Sequence, residues 1–277
     1  VWEDLELVIH SKITEFNVPE LTRLAVVIAR RRSESAHLLA VIDQHIGLNS
    51  QEIHPSHASQ LLLAYTASGN YRDSFINLLR EYYQQNVSKF TPSELVRCLY
   101  GLSITKRLNE AMLLKAEAQL ALSNDRTLST TDLSYLLAAL DSQGMYKSKT
   151  YELYGAQIEE LIKKPVETVY EEAGLFVTPA LLRFVASGHF KGELQAEFQT
   201  GVENLLNEQP TQKNIQFTLQ VLDTLAKKDI GNFYGSKIVS KAVQTAAKLA
   251  SAGSKSWELE EVEFLAEMVK LNQKNHK

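Results

Sequence analysis

Residues 91–120 read TPSELVRCLYGLSITKRLNEAMLLKAEAQL, and the fold can be assigned by working outward from this segment. Thr91 offers a hydroxyl at a helix N-cap, Pro92 follows where a missing N–H loses no bond, and Glu94 stands three positions on. That is the reciprocal arrangement of a capping box. Leu95, Leu99 and Leu102 then recur at helical spacing. After a short polar interval a second amphipathic run covers 110–121. The segment predicts helix, short turn, helix.

The same unit recurs on both sides. Residues 129–161, STTDLSYLLAALDSQGMYKSKTYELYGAQIEEL, repeat the pattern with Ser129 and Asp132 as the cap pair and Leu133, Leu137 and Leu140 as the apolar stripe. Asn17 with Glu20 is a looser version, and Pro19, Pro55 and Pro179 mark further helix starts as Pro92 does. Gly69-Asn70-Tyr71, Gly144-Met145-Tyr146 and Gly188-His189-Phe190 place a glycine where a left-handed C-cap is wanted, with an aromatic able to pack back over the helix end. Second helices are expected over 74–85, 110–121, 150–162 and 193–206. Glu20-Leu21, His57-Ala58, Glu94-Leu95 and Asp132-Leu133 stand 37, 37 and 38 residues apart. Leu24, Leu61, Cys98 and Leu136 form one apolar column and Leu21, Ala58, Leu95 and Leu133 another. A third, mostly small, column is Val27, Ala64, Gly101 and Ala139, which is expected to let the two helices of a unit approach closely.

A fixed period of this size means stacked units, because one hairpin cannot bury both of its faces. The expectation is an all-α chain: a right-handed α-solenoid of about six helical hairpins, armadillo/HEAT/octatricopeptide-like, with a C-terminal capping helix over 257–271. It is read as one domain, 1–277, with regular repeats over 1–164 and irregular ones over 165–277. Residues 165–178 look like an insertion or a broken helix. The pattern resumes over 214–226 and 234–251, around a turn at Lys228-Asp229-Ile230.

The two quoted segments resemble organellar helical repeats of 37–38 residues: the octatricopeptide and heptatricopeptide repeats and the helical region of FAST-kinase-type proteins. The irregular armadillo/HEAT-like subunits of kinetoplastid mitochondrial RNA-editing complexes are similar in character. The resemblance covers a little over half the chain. It implies a mitochondrial or chloroplast setting, with mitochondrial the expectation for this chain, and work in RNA processing, editing, stability or translation. The nuclease-like RAP module that often accompanies such repeats has no counterpart in these residues, so catalysis is not implied.

Composition fits that picture. The chain carries 29 Lys+Arg against 33 Asp+Glu, 44% hydrophobic residues and only 12 Gly and 6 Pro in 277 residues. A disordered tail, a collagen-like chain and a whole-molecule polyanion binder are excluded. No apolar run approaches the roughly 20 residues of a membrane-spanning helix. The single cysteine, Cys98, cannot form an internal disulfide, so secretion is not favoured; it sits in an apolar column and reads as a small core residue. Phosphate-loop, dinucleotide, H-E-x-x-H and G-x-S-x-G motifs are all missing. His54 and His57 fall where a helix begins, which favours a capping turn over metal ligation. Glu159-Glu160 and Glu171-Glu172 read as solvated helix faces. No enzyme activity, cofactor, metal or small-molecule substrate is expected.

Charge is unevenly spread. Residues 152–208 hold ten acids and four bases, whereas 211–255 hold seven lysines and two aspartates. Arg23, Arg30, Arg31 and Arg32 have no acid between them. These arginines and the patch of Lys227, Lys228, Lys237 and Lys241 are candidate phosphate contacts. Docking of an acidic protein and plain solvation remain open for the same residues. A sharper candidate is one column of the first helices: Arg23, Gln60, Arg97 and Tyr135. Arginine there can pair with phosphate or stack on a base, and tyrosine can stack; inter-repeat polar contact is the alternative. The functional expectation is a non-enzymatic scaffold in a multi-subunit mitochondrial RNA-processing assembly, holding protein partners and RNA. A pure protein–protein adaptor without RNA, for example in a mitochondrial ribosome, is the other reading.

Overall fold

The computed structural model describes residues 2–29, 36–69, 71–124, 127–145, 148–164, 177–186 and 192–207, with 221, 222, 224, 225, 238–245 and 248. These residues are all-α, with no strand among them. The helices are α1 (Trp2–Lys12), α2 (Val18–Ala29), α3 (Ala36–Leu48), α4 (Pro55–Ser68), α5 (Asp73–Asn86), α6 (Pro92–Ile104), α7 (Glu110–Leu122), α8 (Thr130–Ser142), α9 (Thr150–Lys163), α10 (Val177–Ala186) and α11 (Glu193–Asn207). The expected C-terminal capping helix and the turn at 228–230 lie outside the described residues, as does 165–176 of the insertion or broken helix expected at 165–178, whose last two residues instead begin α10.

The caps form as their residue types require. Glu94 N–H donates to Thr91 Oγ1 at 3.4 Å, and Thr91 N–H donates back to Glu94 Oε2 at 2.9 Å. Asn17 and Glu20 make the same reciprocal pair at 2.9 and 3.0 Å. Asp132 N–H donates to Ser129 Oγ at 3.1 Å, and Asn109 Oδ1 receives Met112 N–H at 3.0 Å. Gly69 and Gly144 take the left-handed conformation at φ 70° and 64°; Gly188 lies outside the described residues. Between α6 and α7 the left-handed place is held by Lys106, φ 57°, while Leu102 O accepts Arg107 and Leu108 N–H at 2.8 and 3.0 Å.

The chain divides into two compact units, Val1–Tyr154 and Gly155–Lys277, so the division falls inside α9. In the first unit, α2 packs on α4, α4 on α6 and α6 on α8. The second helices follow likewise, α1 on α3 and α3 on α5, and α2, α4 and α6 also meet their own partners α3, α5 and α7. Leu21, Ala58, Leu95 and Leu133 are buried, as are Leu61, Cys98 and Leu136; Leu24 is half-buried. Each fully buried leucine contributes about 1.5–3 kcal/mol, so the columns are the main cohesive force of the row.

The small-residue column corrects the expectation placed on it. A Cβ added to Gly101 in α6 would lie 2.7 Å from Leu62 Cβ and 3.1 Å from the Leu62 carbonyl carbon in α4. At Gly101 the column therefore brings α6 against α4 of the preceding hairpin, rather than against its own partner α7. Ala64 and Ala139 are buried at its other levels, but Val27 is 54% exposed.

In the second unit, Leu182, Phe184 and Val185 of α10 and Phe198, Val202 and Leu206 of α11 are buried. Residues 238–245 are helical, and Thr245 Oγ1 donates to Leu206 O at 2.8 Å.

Candidate macromolecule-binding face

One polar column runs across the row of first helices. Arg23 in α2 and Gln60 in α4 are exposed, whereas Arg97 in α6 and Tyr135 in α8 are half-buried. The two ends of the column are chemically different. Arg97 Nε and Nη2 donate to Asp132 Oδ1 and Oδ2 at 2.7 and 3.2 Å, a two-pronged pair joining α6 to α8. Asp132 is 2% exposed, and its Oδ2 also accepts the Ser129 hydroxyl at 2.9 Å. Withdrawing Arg97 would leave the buried carboxylate without its ion partner, at a cost that solvent lowers because the Arg97 side chain is 38% exposed. The guanidinium is thus engaged in the contact between α6 and α8. Tyr135 stacks on Tyr100 of α6, ring centres 4.3 Å apart and planes inclined by 24°; burial raises its hydroxyl pKa. These two residues tie α6 to α8.

At the other end, Arg23 is open to solvent and its charge reaches His57 at the start of α4. His57 has its pKa lowered, chiefly by burial and then by His54. Its Nδ1 accepts the His54 backbone N–H at 3.2 Å, so the histidine pair closes the first turn of α4. No group of three or more His, Cys, Asp or Glu among the described residues could hold a metal ion. Cys98 is fully buried, and burial drives its thiol pKa well up, away from nucleophilic use.

The basic candidates divide likewise. Arg30, Arg31, Arg32, Lys227, Lys228 and Lys237 lie outside the described residues. Lys241 lies 3.7 Å from Glu203 of α11, so a base of the lysine-rich stretch is neutralised by an acid of the acidic one. A cleft of about 690 Å³ in the second unit is lined by Lys163, Lys164, Glu193, Glu197, Thr200 and Asn204. No helix among the described residues is long and apolar enough to cross a membrane.

Two polar sites escaped the sequence reading. Asp43 in α3 is 4% exposed and receives the hydroxyl of buried Tyr65 from α4. Burial outweighs that hydrogen bond and the nearby Arg72, pushing the Asp43 pKa up to about 7. A lone acid ending the otherwise apolar run LLAVID, residues 38–43, was the available signal. Glu117 in α7 receives the Ser148 and Thr150 hydroxyls at 2.5 and 3.3 Å, which fixes the start of α9. Nothing local announces a contact over 31 residues.

No protein-family model matches the chain, and no curated protein matches it. The functional reading therefore rests on the residues themselves.

Proposed function

We propose that this chain is a non-enzymatic helical-repeat scaffold, a right-handed α-solenoid of about six hairpins, that holds protein partners and RNA in a mitochondrial RNA-processing or editing assembly. The observation that carries the scaffold reading is the row of first helices, α2 on α4 on α6 on α8, with a polar column along it that is exposed at Arg23 and Gln60. Such a row presents a long surface without enclosing a reaction chamber. The mitochondrial and RNA-processing setting is supported by the resemblance of residues 91–120 and 129–161 alone. Arg23, together with Arg30, Arg31 and Arg32 in the adjoining sequence, is the phosphate-contacting group of this reading.

The adaptor reading has an observation of its own: Arg97 and Lys241 already have carboxylate partners within the chain. Titrating a labelled single-stranded RNA with the whole chain at several salt concentrations separates the two. Four phosphate contacts give a log–log salt slope near −3, from about −0.7 per contact. Reversing Arg23, Arg30, Arg31 and Arg32 to glutamate should flatten it. An unchanged slope removes the arginine cluster from the RNA site. Absence of any RNA binding at moderate salt, beside a stable co-purifying subunit, selects the adaptor.

A further inference from the structure

The turns inside successive hairpins lie together along one edge of the first unit. Gly101 of α6 meets Leu62 of α4, and Arg97 of α6 meets Asp132 of α8, each pair at comparable levels of its two helices. The three first helices therefore run the same way, with their C-terminal ends side by side. The turns that follow them reach back to the hairpin before. Arg72, just before α5, donates through Nη1 to Ala40 O of α3 at 3.5 Å. Arg107 Nη2, between α6 and α7, lies 2.8 Å from Asp73 Oδ1 at the start of α5. Ser148 Oγ, just before α9, donates to Glu117 Oε2 of α7 at 2.5 Å.

Each of these three turns carries a base: Arg72, then Lys106 with Arg107, then Lys149. In the sequence, Arg30, Arg31 and Arg32 stand at the corresponding place between α2 and α3. Arg107 neutralises Asp73, the acid next to Arg72. Lys106 and Lys149 are exposed, and among the described residues neither enters an ion pair. Tyr71, beside Arg72, is 37% exposed. Lys106 is also held at φ 57°, where the turns after α4 and α8 have Gly69 and Gly144 at 70° and 64°. That conformation disfavours any residue with a Cβ, and the backbone bonds to Leu102 O that hold the turn need no side chain at 106. The fold thus keeps a strained lysine whose ammonium does nothing inside it, the pattern of a side chain that acts on a ligand.

We propose that this turn edge is the path of a single-stranded RNA across the hairpins, with Lys106 and Lys149 as phosphate contacts and Tyr71 as a stacking platform. The inference rests on the RNA-holding reading above and gives that RNA its route. Packed helices stand about 8–10 Å apart, so the bases recur at intervals that a flexible sugar–phosphate strand can follow. Lysines are point charges without a fork, which suits phosphate contact independent of sequence. Tyr71 offers a face on which any base can stack, and an acidic peptide gains nothing equivalent from it.

The probe is a fluorescein-labelled oligouridylate, titrated into the whole chain at several salt concentrations and followed by anisotropy. Lys106→Gly should melt at a higher temperature than the parent, since the turn loses its strained residue, yet bind more weakly, with a log–log salt slope smaller by about 0.7. Adding Lys149→Gln should bring the reduction to about 1.4. Tyr71→Ala should weaken binding roughly fivefold or more and leave the slope alone. Lys115→Gln, in the middle of α7 and exposed, should alter neither quantity. The edge is overturned if the Lys106→Gly, Lys149→Gln chain keeps the parent slope while reversal of Arg23, Arg30, Arg31 and Arg32 flattens it; the earlier reading then stands. An equal loss in Lys115→Gln overturns it too, because general charge then acts in place of the turns. Displacement of the oligouridylate by polyglutamate at matched charge, with Tyr71→Ala silent, makes an acidic protein the occupant and overturns it likewise. A parent chain that binds no oligouridylate at any salt concentration removes RNA from the reading itself.

Discussion

Replacing Gly101 by alanine should destabilise the first unit, although the same change in an exposed helix would stabilise it. Glycine inside a helix is about 1 kcal/mol less favourable than alanine, so helix propensity alone predicts a gain. The structure reverses the sign. The new methyl would stand 2.7 Å from Leu62 Cβ, 3.1 Å from its carbonyl carbon and 3.2 Å from its carbonyl oxygen. Carbon atoms rest about 3.5–4.0 Å apart, so α6 must withdraw from α4 by about an ångström. These neighbours are backbone and Cβ atoms, which have no rotamer to swing away. The overpacking cost therefore belongs at the upper end of the usual range, about 3 kcal/mol. Subtracting the propensity gain leaves a net loss of about 2 kcal/mol. For a unit of this size that lowers the melting temperature by roughly 4–8 °C. Gly47→Ala in α3 is the control: its Cβ would meet only Leu78 Cδ1, at 3.9 Å. It should stabilise by up to about 1 kcal/mol. Urea titrations followed by far-ultraviolet circular dichroism read both values. A Gly101→Ala chain as stable as the parent would refute the close approach of α4 and α6.

Asp43 supplies a pH dependence of uncommon sign. Its folded pKa of about 7 stands above the unfolded value near 3.9, so the folded state holds the extra proton between those values. Stability should then fall as pH rises from about 4 to 7, by up to about 4 kcal/mol from this group, and Asp43→Asn should flatten that slope in urea titrations across the range. Arg97→Ala leaves buried Asp132 without its ion partner and should cost roughly 2–3 kcal/mol. A double-mutant cycle with Asp132→Asn should return a coupling near 1 kcal/mol or more; zero coupling would mean that Arg97 is available to a ligand. Lys106→Gly relieves a left-handed lysine and should raise stability by about 1 kcal/mol in thermal melts.

The helix starts were legible in the sequence because capping is local. Thr91 and Glu94, like Ser129 and Asp132, stand only three residues apart in the chain, and both pairs form. The apolar columns were legible for the same reason of short period. What periodicity cannot supply is the identity of the neighbour across a face. Gly101 is correctly small, yet it meets Leu62 of the preceding hairpin. Arg97 shares a column with exposed Arg23, yet pairs with Asp132, 35 residues away. The local sequence marks Asp132 as a cap residue, and its second task depends on how α6 and α8 pack. Asp43 shows the opposite limit, since a single acid in an apolar run resembles an interruption until Tyr65 is placed against it. Lys106 broke the glycine rule at a helix end, where the backbone bonds to Leu102 hold the turn without glycine.

The stacking of first helices is tested most directly by nuclear Overhauser contacts from the Gly101 Hα protons in a chain with selectively labelled leucine methyl groups. Cross-peaks to the Leu62 side chain are predicted, because α4 and α6 touch at that glycine. Cross-peaks from Gly101 to leucines of α7, with none to Leu62, would place its contact inside its own hairpin and contradict the row on which the scaffold reading stands.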